Sequence, residues 1–315
     1  MKSFVVTGAL GHIGSALIRA LPKNFPGCSI AMIDNMAAER YCSLFDLPPE
    51  GRYRFIEGDV RQLDLAPIMQ DVDVLVHLAA TTNAAGSFDS ADAVRRNNFD
   101  GTRAVAEACA ASGARLIFPS STSVYGVQEG EVDENCPPEL LQPQSPYAES
   151  KIEEEQLVQR LCAETGLKAA ICRFGTIFGT SPGMRFHTAV NKFCWQAVMG
   201  MPLTVWRTAY DQYRPYLDLV DAVSAVTHIV KNELFTGEIL NVVSANYTVG
   251  DIVEAIRRYC PTLDVNLVDH RIMNQLSYKV VNRRLLDTGF AVSGDVDRGI
   301  ADTIRLLQKA NQPNT

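Results

Sequence analysis

The stretch Val5-Val6-Thr7-Gly8-Ala9-Leu10-Gly11-His12-Ile13-Gly14 constrains this chain more than any other. Its apolar, β-branched start reads as a strand, and three glycines at these intervals permit a tight turn straight into a helix. Glycine there lets the backbone approach a pyrophosphate, and the helix N-terminus offers unpaired amides and a favourable field. An ordinary glycine-rich turn has the same spacing. Asp34 separates the two, because it ends the second apolar run twenty residues after Gly14. A carboxylate at that point accepts both hydroxyls of an adenosine ribose and repels the extra phosphate of NADP. Together the two signals predict an NAD site.

Five early runs read as parallel strands: Ser3 to Thr7, Ser29 to Ile33, Tyr53 to Glu57, Val74 to His77 and Leu116 to Pro119. Helix-compatible segments separate them, as expected when helices cover both faces of a parallel sheet. Ala169 to Arg173 and Glu238 to Val243 extend that sheet. Gly175 to Tyr213, rich in Gly, Pro, Met and aromatic residues, is expected to form loops and a helix over the strand ends, where open α/β folds bind ligands. Helical periodicity returns at Val249, Ile252, Val253 and Ile256, and again at Ile300, Ile304 and Leu307. The predicted architecture is α/β, a Rossmann-type doubly wound parallel sheet over 1–174 to which 214–245 returns. A smaller α/β substrate domain is expected from the non-contiguous segments 175–213 and 246–315.

Composition removes several function classes. A chain of 315 residues, 47% hydrophobic and 21% charged, is globular and long enough for a sizeable core. Its net charge of -7 gives no general attraction to nucleic acid or to an anionic membrane. No apolar stretch is long enough to span a bilayer, and Met1 leads directly into the first strand without a secretory signal, so a cytoplasmic location is expected. Eight scattered cysteines, without a Cys-x-x-Cys pair, read as reduced thiols. Neither they nor the five histidines form a metal-ligand pattern, so no metal is expected.

Several residues carry candidate chemistry. Asp59, in Gly58-Asp59-Val60 after the third strand, can accept from an adenine amino group while Val60 packs on the ring; it can equally cap a helix. His77 reads as a packed strand residue rather than a base, with small residues after it that allow close cofactor approach. The hydroxyl cluster Ser120-Ser121-Thr122-Ser123 follows the fifth strand and either caps local backbone or serves catalysis. Tyr147 and Lys151 stand four apart in a helix after Pro146, so both project from one face. An ammonium beside a phenol stabilises the tyrosinate and lowers its pKa toward a value useful for proton transfer.

Taken together, these residues resemble the extended short-chain dehydrogenase/reductase family, in its nucleotide-sugar epimerase and dehydratase branch, over nearly the whole chain. The resemblance implies NAD held by Gly8, Gly11, Gly14 and Asp34, with Asp59 and Val60 near adenine and Leu78, Ala79 and Asn98 lining the cofactor. It selects Ser121 from the hydroxyl cluster to position a substrate hydroxyl, Tyr147 for proton transfer, and Lys151 for the cofactor ribose. It implies a nucleotide-diphosphate sugar as substrate. Arg173-Phe174-Gly175-Thr176-Ile177-Phe178-Gly179 resembles the sugar-site strand, with Thr176 where many members carry asparagine. Met201 to Trp206 resembles a base-binding stretch, and Arg214 and Arg271 match arginines that contact the substrate diphosphate. The family's usual homodimer, built on helices around Val94 to Ala111 and Ile152 to Leu161, is also implied.

One absence bears on the reaction. Nucleotide-sugar 4,6-dehydratases commonly carry Thr-Asp-Glu where this chain has Ser121-Thr122-Ser123. Without those acids a departing hydroxyl lacks its proton donor. The resemblance therefore points to a 4-epimerase similar to uridine-diphosphate-hexose epimerases, which oxidise the sugar C4 hydroxyl to a transient ketone and reduce it on the opposite face. Net dehydrogenation or reduction, a noncanonical dehydration, and a non-catalytic NAD-binding regulatory role are the alternatives.

Overall fold

The computed structural model describes residues 1–82, 91–269 and 277–311. The chain opens with β1 (Ser3–Thr7), α1 (His12–Asn24), β2 (Ser29–Asp34), β3 (Arg52–Glu57) and β4 (Val74–His77). There follow α2 (Ala91–Ser112), β5 (Arg115–Ser121), β6 (Glu131–Val132), α3 (Pro146–Thr165), β7 (Ala169–Phe174) and β8 (Thr176–Phe178). Then come α4 (Ala189–Val198), β9 (Leu203–Trp206), β10 (Tyr213–Asp218), α5 (Leu219–Lys231), β11 (Ile239–Val242) and β12 (Ala245–Thr248). The last are α6 (Val249–Arg257), β13 (Val265–Val268), β14 (Lys279–Val280), α7 (Arg283–Asp287) and α8 (Val296–Gln308).

Seven parallel strands form one sheet in the order β11-β7-β5-β4-β1-β2-β3. All seven expected runs are in it, most with ends shifted by a residue or more. Alternation along β1 sends its side chains to opposite faces. Phe4 and Val6 join Leu17, Ile18 and Leu21 of α1 and Ala222, Val226 and Ile229 of α5 in one core. Val5 joins Val105 and Cys109 of α2 and Val158 of α3 in another. The strand order reverses between β1 and β4, which opens the crevice in which such sheets bind ligands.

The smaller domain has its own core, in which Val190 and Phe193 of α4, Ile252 and Ile256 of α6 and Ile300 and Ile304 of α8 meet. Each large aliphatic side chain buried there contributes roughly 1.5–3 kcal/mol, so the charge of an Ile300→Asp change would open it. Within 175–213 the structure has more strand than expected. β8 lies parallel to β10, and β9 pairs with β13 through Leu203 and Val265. The partner of β9 lies some sixty residues away, so its four residues read as loop in isolation.

Candidate active site

The β1-α1 turn comes first because the sheet carries it to the reversal point. Gly8 has φ 62, and a Cβ on it would lie 2.6 Å from the Leu78 carbonyl carbon and 2.7 Å from the Ala79 nitrogen. This contact brings the turn against Leu78 and Ala79 beyond β4. Gly11 precedes α1, and its amide donates to the Gly8 carbonyl at 3.0 Å. On Gly14 a Cβ would meet the Gly8 oxygen at 2.3 Å, so only glycine lets the helix sit this close to the turn. Among the described residues no side chain caps α1, and no acid stands in its first turn, which leaves its leading amides and its field for an anion.

Asp34 ends β2 beside this cradle and accepts the amides of Leu10 and Met36, each at 3.0 Å. Bare glycine backbone, uncapped amides and an adjacent carboxylate fit the pyrophosphate and ribose of NAD. The Asp59 carboxylate is occupied differently: it accepts the Arg61 amide at 3.0 Å and pairs with the Arg61 guanidinium, which holds it below the usual carboxylate range. Val60 beside it is buried. Asn98 is fully buried and grips the backbone of Thr81, accepting its amide at 2.8 Å and donating to its carbonyl at 3.0 Å. It thereby fixes the segment after β4. His77 is a packed strand residue, with Nδ1 2.8 Å from the Thr7 hydroxyl and the ring pushed down to about 3 by burial.

The catalytic candidates meet where β5 and α3 converge. The Ser145 hydroxyl caps α3 by accepting the Ala148 amide at 3.2 Å, and Pro146 starts the helix with φ already set. Tyr147 and Lys151 consequently lie one turn apart. Ser121 ends β5, with its hydroxyl 2.8 Å from that of Ser123, and is one of the groups that act on the Tyr147 phenol. Lys151 is buried, its Nζ 4.7 Å from the Phe118 ring centre and 2.9 Å from Glu154 Oε2.

The expected lowering of the tyrosine pKa is not found in the chain alone. Burial pushes the Tyr147 phenol above its ordinary value; the Lys151 charge opposes this, Glu154 adds to it, and Arg185 and Ser121 pull back. Desolvation of the phenolate exceeds the stabilisation by the ammonium.

Of the substrate candidates, Thr176 opens β8 opposite Tyr216 of β10. Arg214, on β10, is half-buried, hydrogen-bonds Gln212 Oε1 at 3.2 Å and makes no ion pair among the described residues. Its neighbour Tyr278 packs with Val124 and Tyr125, which follow Ser121, so Arg214 lies toward the same crevice. Trp206 packs beside the core of the smaller domain. Arg271 lies outside the described residues.

Three features escaped the sequence reading. A Cβ on Gly183 would meet the Leu10 and Gly11 oxygens at 2.2 and 2.4 Å, so the segment after β8 lies directly on the glycine turn. The Gly183 amide donates to Ser15 Oγ at 2.9 Å, Ser181 Oγ donates to the His12 carbonyl at 2.8 Å, and His12 Nε2 is 2.8 Å from the Gly179 carbonyl. The same segment brings Arg185 near Tyr147, where it hydrogen-bonds Thr82. Third are the buried acids Glu154 and Glu155. Glu155 takes Arg173 at 2.6 and 2.9 Å and the Ser120 hydroxyl at 2.5 Å.

Comparison with known proteins places these features in a family. The uncharacterised UDP-glucose epimerase YtcB of Bacillus subtilis is 30% identical over 76% of this chain and 75% of its own length. A trifunctional UDP-glucose 4,6-dehydratase/3,5-epimerase/reductase of Arabidopsis thaliana, RHM2, is 28% identical over 96% of this chain. The present chain spans only 46% of that protein's length. Among solved structures, MoeE5 in complex with UDP-glucuronic acid and NAD superposes with a TM-score of 0.85 at 25% identity, over 98% of this chain and 99% of that one. No described helix is long and apolar enough to cross a membrane. Residues 4–242, from β1 through β11 and hence the whole cradle and the Ser-Tyr-Lys set, match the NAD dependent epimerase/dehydratase family, to which this chain belongs.

Proposed function

We propose that the chain is an NAD-dependent nucleotide-sugar 4-epimerase. The observation that carries this reading is the convergence of β5, which ends in Ser121, with the start of α3, where Tyr147 and Lys151 lie one turn apart, with hydroxyls, not carboxylates, at 122 and 123. Gly8, Gly11, Gly14, Asp34 and Lys151 hold the cofactor, with Asp59, Val60, Leu78, Ala79 and Asn98 around it. NAD held there would supply the hydride acceptor for the sugar C4 and the hydride donor for its re-reduction. Ser121 orients the C4 hydroxyl, and Tyr147 removes its proton and later restores it. The Lys151 charge lowers the cost of the phenolate. Arg214 and Arg271 take the diphosphate, Thr176 contacts the sugar, and Arg185 adds positive charge beside the tyrosine.

Incubation with a panel of nucleotide sugars, followed by separation of the sugars and measurement of free NADH, tests the proposal. Exchange between C4 epimers without net NADH is expected. Loss of water from the sugar would favour the dehydratase reading, which the name of the Arabidopsis relative keeps in play; net NADH would favour a dehydrogenase. We further propose a homodimer across the outer faces of α2 and α3, where Phe99 and Leu157 line a shallow groove among charged residues. Light scattering on the purified protein checks this, and a monomer at micromolar concentration would refute it.

A further inference from the structure

Two buried carboxylates stand side by side on α3, and only one is accounted for by neighbouring strands. Glu155 is taken up by Arg173 of β7 and Ser120 of β5. Glu154 turns to the active lysine. Its Oε2 accepts from Lys151 Nζ at 2.9 Å and from Thr102 of α2 at 2.7 Å, and its Oε1 accepts from Ser150 at 2.6 Å. The lysine and glutamate side chains are 4% and 1% exposed, so water contributes almost nothing to either charge.

From this arrangement we propose that Glu154 is a positioning residue of the proton-transfer site, which holds the Lys151 ammonium in place and sets the pH at which Lys151 and Tyr147 give up their proton. The proposal rests on the functional reading above. A buried ion pair is poor evidence of a stabilising device, since apolar side chains of similar volume usually serve as well. Lys151 also has a specific need for a counter-ion. It lies on the Phe118 ring, and burial without a negative partner drives a lysine toward its neutral form. Three donors prevent the carboxylate from swinging away, so the ammonium is fixed as well as charged.

The groups facing this pair come from every neighbouring element. Tyr147, on the preceding turn of α3, is disfavoured as phenolate by Glu154 and favoured by Lys151. His77 of β4 feels the lysine charge and stays neutral. Arg185, after β8, acts on Tyr147 in the same sense as Lys151. The Glu155 charge is offset by Arg173, and Thr102 of α2 and Phe118 of β5 carry no charge. Because Lys151 and Tyr147 titrate as a coupled pair, a negative charge beside them raises both apparent pKa values, and its removal lowers both, whichever residue releases the proton first.

Glu154→Gln is the direct test. The acid limb of kcat/KM should move down by about one pH unit. The phenolate of Tyr147 should titrate lower by a similar interval, read as the ultraviolet difference between E154Q and E154Q/Y147F with NAD bound, against the same difference for wild type and Y147F. Glu154→Asp keeps the charge and should bring the limb back toward wild type. If E154Q does not fold, Glu154→Leu fills the volume and takes its place. A folded, NAD-bound variant with both readouts unchanged overturns the proposal. So does a lower melting temperature or NAD affinity with an unmoved limb and titration, which would make Glu154 a structural residue only. If wild type turns over no nucleotide sugar, the functional reading fails while the phenolate titration still decides the role of Glu154.

Discussion

Asp34 Oδ2 accepts the amide of Leu10 at 3.0 Å, which makes the acid that ends β2 and the glycine turn that follows β1 one hydrogen-bonded unit. Cofactor choice and cofactor grip therefore reside in the same contact. Asp34→Ser removes the ribose acceptor and the repulsion of a 2′-phosphate, so NAD should bind more weakly and its preference over NADP should shrink. Calorimetry with both dinucleotides measures this. An unchanged preference would place selectivity elsewhere.

Tyr147→Phe preserves the ring and deletes the ionisable oxygen. Folding and NAD affinity should survive, while single-turnover epimerisation should fall by roughly 10²–10⁴-fold, the usual contribution of a general acid-base group. Near-normal turnover by the folded variant would sink Tyr147 as the proton carrier.

Arg214 lies half-buried without an ion-pair partner among the described residues. Replacing it with alanine should raise the dissociation constant of the nucleotide sugar by about tenfold or more, the value of one charge-assisted hydrogen bond. NAD affinity should change little. Equal weakening of both ligands would indicate a general defect of the fold.

His12 connects the turn to acid stability. Its ring is buried, Nε2 faces the Gly179 carbonyl, Nδ1 has no partner among the described residues, and burial pushes it down to about 4. In the unfolded chain histidine titrates near 6.5. Below that value the unfolded state binds a proton that the folded state refuses, so stability is intact above about pH 6.5 and is lost as pH falls through about 4. His77, pushed down to about 3, acts in the same direction. Between pH 7 and about pH 5, wild type should lose about 2 kcal/mol more than His12→Phe, read from urea unfolding at each pH. Parallel losses in the two proteins would show that His12 is not responsible.

The parts legible in the sequence are those whose causes are local. Strand runs, the glycine turn, Asp34 at a strand end and the Tyr147-Lys151 interval each depend on a few consecutive residues, and the structure brings them to one crevice. Its less legible parts depend on distant partners. Glu154 and Glu155 carry no signal of their own in the sequence, because nothing nearby announces Thr102, fifty-two residues earlier, or Arg173, eighteen later. Gly183 similarly reads as a loop glycine until Leu10 lies against it. The Tyr147 phenol belongs with these: a four-residue interval displays the ammonium but neither the desolvation of the phenol nor Glu154, which act against it.

The adjacent acids on α3 also have a mechanical consequence. Consecutive helix residues point about 100° apart, so Glu154 and Glu155 engage partners at two different bearings around one axis, α2 on one side and β5 with β7 on the other. Apolar contacts let a helix roll with little resistance, whereas two charged contacts at different bearings act as pins through a shaft. Turning α3 enough to re-aim Tyr147 would pull both carboxylates from their donors together. The phenol two turns before them is thus keyed in angle as well as in place, and its bearing on Ser121 is fixed by charges that never touch the sugar.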